Sequence, residues 1–574
     1  MGSIIAKKKK GQIYYYYVES ARVNGKPRIV AQKYLGRAEK IAQSFESTDG
    51  LEIPKYSIVQ EYGAVCALFE LSQKLDVVNC IDRHCPKRKQ GLSVGEYLLL
   101  AAINRAVNPV SKSQISDWYS TTTLHRLIPA QKSLLSSKRF WDNMALVPES
   151  AIEKIEDELT ALIVKQYGVD TDCLIYDTTN FFTFIDTNSE GELAQRGKCK
   201  SKRTDLKIVG LAMMVSPDFK IPLFHETYPG NLHDSEKFHQ IIDKLKSRLQ
   251  KVGVQPGRIT VAFDKGNNSL ANVDKIFGKD KNEELAFHVV GSIKFSEHKE
   301  LLDIPKSDFL LVPEYKDNGV TAYRLTKSVY ERDMTVVITH NPALLEGQLQ
   351  GIHKAIEKCM GQFDDLQHRL LKRKGGEIKK GKKPTLESVQ KNVQDILHAD
   401  YMRHVFEVTV IEEDGFVLLD YDFSMEKLDY VCERYLGKTL LFTDNHDWDT
   451  GKIISAYRSM HHVESAFRQM KDTDFLGFRP IYHWTDQKIK VHAFYCVLAL
   501  RLCFLLQRTL AENGIHMSVN KMLSLLAGIQ QVITIYPKKG ESKKDRQVYS
   551  LSKMMPEQKK VAEILDIMNY KLGG

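Results

Sequence analysis

The 574-residue chain has nine cysteines, scattered from Cys66 to Cys503, and no C-x2-C pair among them. That spacing argues against a zinc module and a disulfide framework, and it fits reduced thiols in a cytosol. Cys80, His84 and Cys85 lie close together in sequence, but a structural zinc site needs a second ligand pair and none follows. Long apolar runs are missing too. The most apolar stretch, Ala493 to Leu506, is bounded by Lys490 and broken by Arg501. It falls short of the roughly 18–20 residues that a membrane span requires. No apolar run follows the basic cluster at the N-terminus, so that end does not read as a secretory signal. The expectation is a cytoplasmic protein without a membrane partner.

What is present is an ordinary globular composition, 43% hydrophobic and 27% charged, which excludes a wholly disordered chain. The length implies two to four domains. The net charge is +10, and residues 1–45 alone carry ten Lys/Arg (among them Lys7, Lys8, Lys9 and Lys10) against two Glu. A basic end of this kind favours polyanions, nucleic acid before an anionic membrane surface.

Residues 13–36 alternate as two strands around Asn24-Gly25, whose tolerance of positive φ suits a tight hairpin turn. Such a ribbon of tyrosines and lysines lies along DNA or packs its tyrosines on the next domain. Residues 56–150 read as helices punctuated by Pro86, Pro109 and Pro129. Ser150 and Glu153 form a capping-box pattern ahead of another helix. Strands are then expected over 173–176, 206–215, 221–226, 258–263 and 286–293, with helices over 234–252 and from about 269, giving an α/β core with a mixed sheet. Residues 296–440 look like an insertion containing strands near 405–410 and 416–421 and a solvated Lys/Gly-rich middle around 372–383. Helices resume at Asp449, and the last 60 residues read as a basic, largely helical tail.

Two apolar strands run into carboxylates: Cys173-Leu174-Ile175-Tyr176 into Asp177, and Ile259-Thr260-Val261-Ala262-Phe263 into Asp264. Sites collect at strand carboxyl ends in open α/β sheets, although a lone Asp there also serves as a turn or helix cap. A third candidate, Glu464, lies in a helix expected from Thr450 to Lys471. Tyr457, Glu464 and Lys471 are spaced by seven, drift only about 20° per step and share one face. Arg468 stands four residues beyond Glu464. An amphipathic helix with an ordinary Glu–Arg pair fits that pattern equally. Three carboxylates without a cysteine or histidine cage suit a hard cation, Mg²⁺ or Mn²⁺. A pair of such ions serves in-line displacement at a phosphodiester.

Several segments resemble, in order, those of the bacterial insertion-sequence DDE transposases of the IS-four superfamily. Tyr176-Asp177-Thr178-Thr179-Asn180-Phe181-Phe182 is similar to the first-aspartate motif. Residues 196–207, with Lys198, Lys200, Lys202, Arg203 and Lys207, are similar to the basic segment before the second strand. Pro229-Gly230-Asn231-Leu232-His233-Asp234-Ser235 resembles the turn after the third strand, and Asp264-Lys265-Gly266 the second-aspartate motif. The Tyr457–Glu464–Lys471 helix and the closing Arg479-Pro480-Ile481-Tyr482-His483-Trp484 complete the set, over roughly residues 165–505 plus the N-terminal hairpin. One departure stands out: Met460 occupies the usual arginine position, with Arg458 two residues earlier.

The resemblance implies an RNase H-like catalytic core (151–295 and 441–510) interrupted by a β-containing insertion domain (296–440). A basic hairpin arm (1–45) and a helical DNA-binding domain (46–150) precede it, and a helical tail (511–574) follows. It implies Asp177, Asp264 and Glu464 as catalytic metal ligands for two ions. Tyr457, Arg458, Arg468, Lys471, the basic segment and Lys7–Lys10 become DNA contacts. The implied activity is nicking of double-stranded transposon ends by metal-activated water, then attack of the freed 3′-hydroxyl on target DNA by a dimer, with no small-molecule cofactor. A nuclease lacking strand transfer and an inactive DNA-binding relative are the alternatives.

Overall fold

The computed structural model describes residues 2–23, 26–46, 53–86, 91–186, 188, 190–197, 203, 205–253, 259–264, 266, 268–277, 287–479, 481–538 and 544–568. They form two compact units, one of residues 1–66, 120–123 and 525–574, the other of 67–119 and 124–524. In the first unit, β1 (Gly2–Lys9), β2 (Gln12–Val23) and β3 (Lys26–Gly36) make an antiparallel sheet in that order. The sequence points to two strands here; the basic cluster is itself a third. Lys7, Lys8 and Lys9 pair with Tyr14, Ile13 and Gln12, because a β-hairpin edge accepts lysines as readily as apolar residues. Tyr14, Tyr16 and Tyr34 pack on one another, with Lys7 Nζ 5.0 Å from the Tyr16 ring centre and Arg37 5.8 Å from that of Tyr14. Lys8, Lys9 and Lys10 are exposed. The Asn24–Gly25 turn lies outside the described residues. A further strand, β4 (Tyr56–Glu61), stands within the stretch expected to be helical.

The second unit is built on one nine-stranded mixed sheet. Its inner strands are β5 (Cys173–Phe182), β6 (Ile208–Val215), β7 (Pro222–Pro229), β8 (Thr260–Phe263) and β9 (His288–Ile293). The first three are antiparallel neighbours, while β8 pairs in parallel with both β5 and β9. Every residue of β6 and β8 is buried, as strands covered on both faces must be. On one face, Phe238 of the helix Asp234–Lys251 meets Tyr176 and Phe263 at ring separations of 5.0 Å. The helix Glu149–Tyr167 begins with Pro148 at its cap position and no side-chain cap bond, so the expected Ser150 capping box is not formed; Ser150 falls inside the first turn.

The stretch read as an insertion extends this sheet. Strands β10 (Leu310–Leu311), β11 (Thr321–Val329) and β12 (Arg332–His340) continue it beyond a later strand. A two-stranded pair, β13 (Phe406–Glu413) and β14 (Phe416–Phe423), packs with the helix Pro342–Lys374 around Phe363, Leu366, Val405 and Leu419. Then β15 (Lys438–Thr443) slots antiparallel between β12 and β9. His340 pairs with Lys438, and Asn341 N donates to Gly437 O at 2.8 Å. The Lys372–Lys374 run closes the long helix, and Arg373 reaches Gly381 O at 2.6 Å. The whole order is β10-β11-β12-β15-β9-β8-β5-β6-β7.

The C-terminal region departs from its helical expectation. Strands β16 (Gln530–Tyr536) and β17 (Arg546–Leu551) form a sheet with β4 in the order β17-β16-β4. The alternation Val532-Thr534-Tyr536 against buried Ile533 and Ile535 is a two-residue period. Among the described residues one helix, Asp486–Glu512, is long and apolar enough to cross a membrane, with mean hydropathy 1.8, but 94% of that window is buried inside the protein. It packs against the helix Val94–Val107 and against β7.

Candidate active site

Strand register brings the two aspartates together. Strand β5 does not stop at Asp177, as its apolar start implies, but runs on to Phe182 because Thr-Thr-Asn-Phe-Phe continues to pair with β6. Across the parallel pair, Tyr176 faces Phe263 as the last paired step, and Asp177 and Asp264 are the residues that follow on the two chains. On the other side Ala262 faces Val290, and the same register places Ser292 level with Asp264. Alternation puts Asp177 on the face of Ile175 and Thr179, opposite Tyr176 and the Phe238 helix.

The glutamate arrives on two helical segments rather than one. Thr450–Arg458 and Met460–Met470 break at Ser459, whose hydroxyl donates to Ala456 O at 2.5 Å, a back-bond that bends helices. Ile453 and Ile454 anchor the first segment in a core with Val312, Val320, Ala322, Val337 and Leu441. Strands of the supposed insertion therefore fix the glutamate helix. Val463, Ala466, Phe467 and Met470 bury the second segment, which packs on β5 and β6.

Two hydrogen bonds locate this helix over the strands. The Tyr457 hydroxyl donates to Ser292 Oγ at 2.8 Å, and Lys471 Nζ donates to Thr179 Oγ1 at 2.7 Å. One contact lies beside Asp264, the other two residues past Asp177 on the same face. Glu464 stands midway between them in sequence, on the second of the two helical segments. Burial pushes the Tyr457 phenol pKa up, the Ser292 bond pulls it down, and the charges of Asp264 and Glu464 raise it further. Its hydroxyl thus lies beside Asp264 and in the field of Glu464. Asp264 and Glu464 are exposed, and Asp177 is half-buried. Among the described residues no three His, Cys, Asp or Glu side chains stand close enough to hold one ion. Their donor type, carboxylate oxygen alone, fits Mg²⁺ or Mn²⁺ rather than a softer metal.

The surrounding cations divide. Lys471 sits at the site, 5.6 Å from the centre of the Phe181 ring. Met460 is buried, and the Arg458 guanidinium lies 4.3 Å over the Tyr315 ring. Arg468 is exposed near Lys220, whose pKa falls through burial and this neighbouring charge. Arg203 is exposed, paired with Asp205 and 6.0 Å from the Phe182 ring centre. Lys207 is buried rather than laid out on a loop, and its carbonyl accepts from Thr183 N and Oγ1. Lys198, Lys200 and Lys202 lie outside the described residues. The glycines of the two flanking motifs have a steric cause. A Cβ on Gly230 would stand 2.0 Å from Ile208 O, and one on Gly197 2.1 Å from Gly230 O.

Sequence reading missed Ser292, which only the register reveals, and a buried polar cluster under residues 476–484. Lys112 Nζ donates to the Tyr495 hydroxyl at 2.7 Å and lies 3.1 Å from His483 Nε2. His492 binds Phe478 O at 2.7 Å, and Phe478 stacks on Phe181 at 4.1 Å. The cluster thereby props the chain beyond Lys471 against the end of β5. Burial, with Arg105 adding to it, lowers the Lys112 pKa to about 7. An unfolded lysine titrates near 10.4, so between these values the unfolded state holds more protons and stability rises with pH. Unfolding free energy is expected to climb between pH 7 and pH 10 in the parent and to lose that slope in Lys112→Met, as urea titrations across this range will measure.

No family model matches the chain, and no curated protein matches it. Among solved structures it is similar to the piggyBac transposase synaptic complex with hairpin DNA, at 10% identity over 81% of this chain and 80% of that one, with a TM-score of 0.37.

Proposed function

We propose that the chain is a DDE-type DNA transposase of the insertion-sequence kind, which binds the ends of its element, cleaves them and joins the 3′-hydroxyl ends to target DNA. The observation that carries this reading is the register of β5 on β8, whose last pair, Tyr176 and Phe263, immediately precedes Asp177 and Asp264, together with the Tyr457–Ser292 and Lys471–Thr179 bonds that tie the glutamate helix to these strands. Three antiparallel strands followed by two parallel ones, β5 to β9, support an RNase H-like core. The first-aspartate motif lies on β5, the Pro229–Gly230 turn ends β7 and Asp264 follows β8.

Asp177, Asp264 and Glu464 would hold one or two Mg²⁺ or Mn²⁺ ions. When bound, such ions supply Lewis acidity to the attacking and leaving oxygens of a phosphodiester. The chain's own groups do the positioning. The Tyr457 hydroxyl, tied to Ser292, fixes the helix at the height of Asp264. The Lys471 ammonium, next to Thr179, offers a cation to a phosphate approaching Asp177. The Lys7–Lys10 strand and Arg203 add phosphate contacts that position DNA without reading bases, and two ends held at once call for a dimer.

The test is to incubate the purified protein with Mn²⁺ or Mg²⁺ and labelled duplex carrying the flanking ends of its own gene, then to map any cut. A second substrate, a pre-cut end bearing a 3′-hydroxyl, is offered with target DNA. Metal-dependent cuts at the element boundary and joined product are expected. Cutting without joining would make the protein a structure-selective nuclease. Binding without either would leave it a DNA-binding relative.

A further inference from the structure

Beside the glutamate helix lies a cleft of about 420 Å³, walled by Asp170, Cys173, Tyr315, Trp448, Lys452 and Arg458 together with His461 and His462. Its cations are fixed by rings rather than by carboxylates. Lys452 Nζ sits 4.2 Å from the Trp448 ring centre, and the Arg458 guanidinium 4.3 Å from that of Tyr315. Cation–π seating of this kind orders a long side chain without neutralising it. Neither cation has an ion-pair partner among the described residues, and Asp170, the carboxylate on the wall, spends one oxygen on Asp172 N at 2.8 Å. His461 and His462 stack at 4.0 Å. His461 Nδ1–H donates to Arg458 O at 2.6 Å, while the buried His462 Nδ1 has no partner among the described residues.

Two pre-ordered cations facing one open cleft of ligand size fit an anion with several oxygens. A lone carboxylate would leave most of the volume empty. The cleft begins at Cys173, four residues before Asp177 on β5, or roughly 13 Å along an extended strand. That is about four base steps of a B-form strand.

We infer that this cleft is a phosphate-ester subsite in which Lys452 and Arg458 clamp the phosphate, either of the DNA strand running past the carboxylates or of a free nucleotide. The DNA form rests on the transposase reading; the nucleotide form does not. Both are tested on the full chain. In the first arm, affinity for a labelled duplex of the gene's flanking end is followed against salt for the parent, for Lys452→Ala/Arg458→Ala and for the control Lys354→Ala, an exposed lysine on the helix Pro342–Lys374. The double variant is expected to bind more weakly, with a log–log salt slope shallower by about one to two, and the control to match the parent. In the second arm, an N-methylanthraniloyl-labelled ADP is titrated with energy transfer from Trp448 as readout and inorganic phosphate as competitor. Saturable binding that phosphate displaces and the double variant lacks would assign the subsite to a free nucleotide. Should the double variant unfold, Lys452→Gln gives the same readouts at an exposed position without touching the Arg458 stack. If the variants change neither the salt slope nor nucleotide binding, the inference is overturned. If the parent ignores DNA but binds the nucleotide through these residues, the transposase reading fails and the subsite stands.

Discussion

Asp177→Ala, Asp264→Ala and Glu464→Ala are each expected to lower metal-dependent end cleavage by at least about 10³-fold, equivalent to roughly 4 kcal/mol of transition-state stabilisation. On the proposed reading each removes one of the carboxylates that would hold the ions. Affinity for end DNA is expected to hold or rise slightly, because a carboxylate facing phosphates repels them and its loss removes that repulsion. Cleavage assays in Mg²⁺ and Mn²⁺, paired with binding measured in a metal chelator, separate the two effects. Glu413→Gln, which removes a carboxylate paired with Lys374 in the peripheral lobe, serves as a control with parental cleavage. A variant of any of the three that retains near-parental cleavage would strip that residue of its role. Loss of DNA binding and of thermal stability together would point to misfolding instead.

The second large effect lies behind the sheet. Glu156, fully buried in the helix Glu149–Tyr167, contacts the Nδ1 of His225 on β7 at 2.5 Å, and Arg248 at 2.9 Å and Arg501 at 3.5 Å on two further helices. Four elements converge on one carboxylate. Burial raises its pKa, but His225, Arg248 and Arg501 outweigh that and hold it at about 2. Glu156→Gln leaves buried guanidinium charge uncompensated, for which about 3–5 kcal/mol of lost stability is expected. The sign with pH follows from the depressed value. The ionised carboxylate's contribution is complete above the unfolded pKa near 4.3 and disappears as pH falls towards 2. Urea unfolding at pH 7, 4 and 3 is expected to find a large gap between parent and variant at pH 7 that narrows with acid. A gap that stays constant would mean that packing, not charge, holds these elements together.

The parts of this molecule legible from sequence were those with strong local periodicity. Apolar strands ending near Asp177 and Asp264 and the amphipathic run around Glu464 could be read because burial on a sheet or helix face leaves a repeating trace. Where pairing partners are far apart, the trace was too weak. Gln530–Tyr536 alternates as a strand, yet its partner Tyr56–Glu61 lies at the other end of the chain. Strands β11 and β12 fall in the stretch read as an insertion, because their membership of the main sheet is a matter of tertiary pairing. The break at Ser459 depends on a side chain turning back to a carbonyl, and serine does so only in some helices. Ser292 had no signal of its own; it becomes part of the site through strand register.

The hydrogen bond from Asn341 to Gly437, at the foot of the peripheral lobe, has a consequence for how such a chain tolerates change in length. The polypeptide leaves the sheet and returns to it at one point, where β12 and β15 would otherwise join as a simple hairpin. Whatever is spliced there is joined to the sheet at that point, beside the Arg434–Asp303 ion pair and the Tyr435–Phe295 ring contact, and the entropy of closing the excursion grows merely with the logarithm of its length. Added length at this hairpin tip is therefore cheap in closure entropy, while the path from Asp264 to Glu464 runs outside it, through β9 and β15.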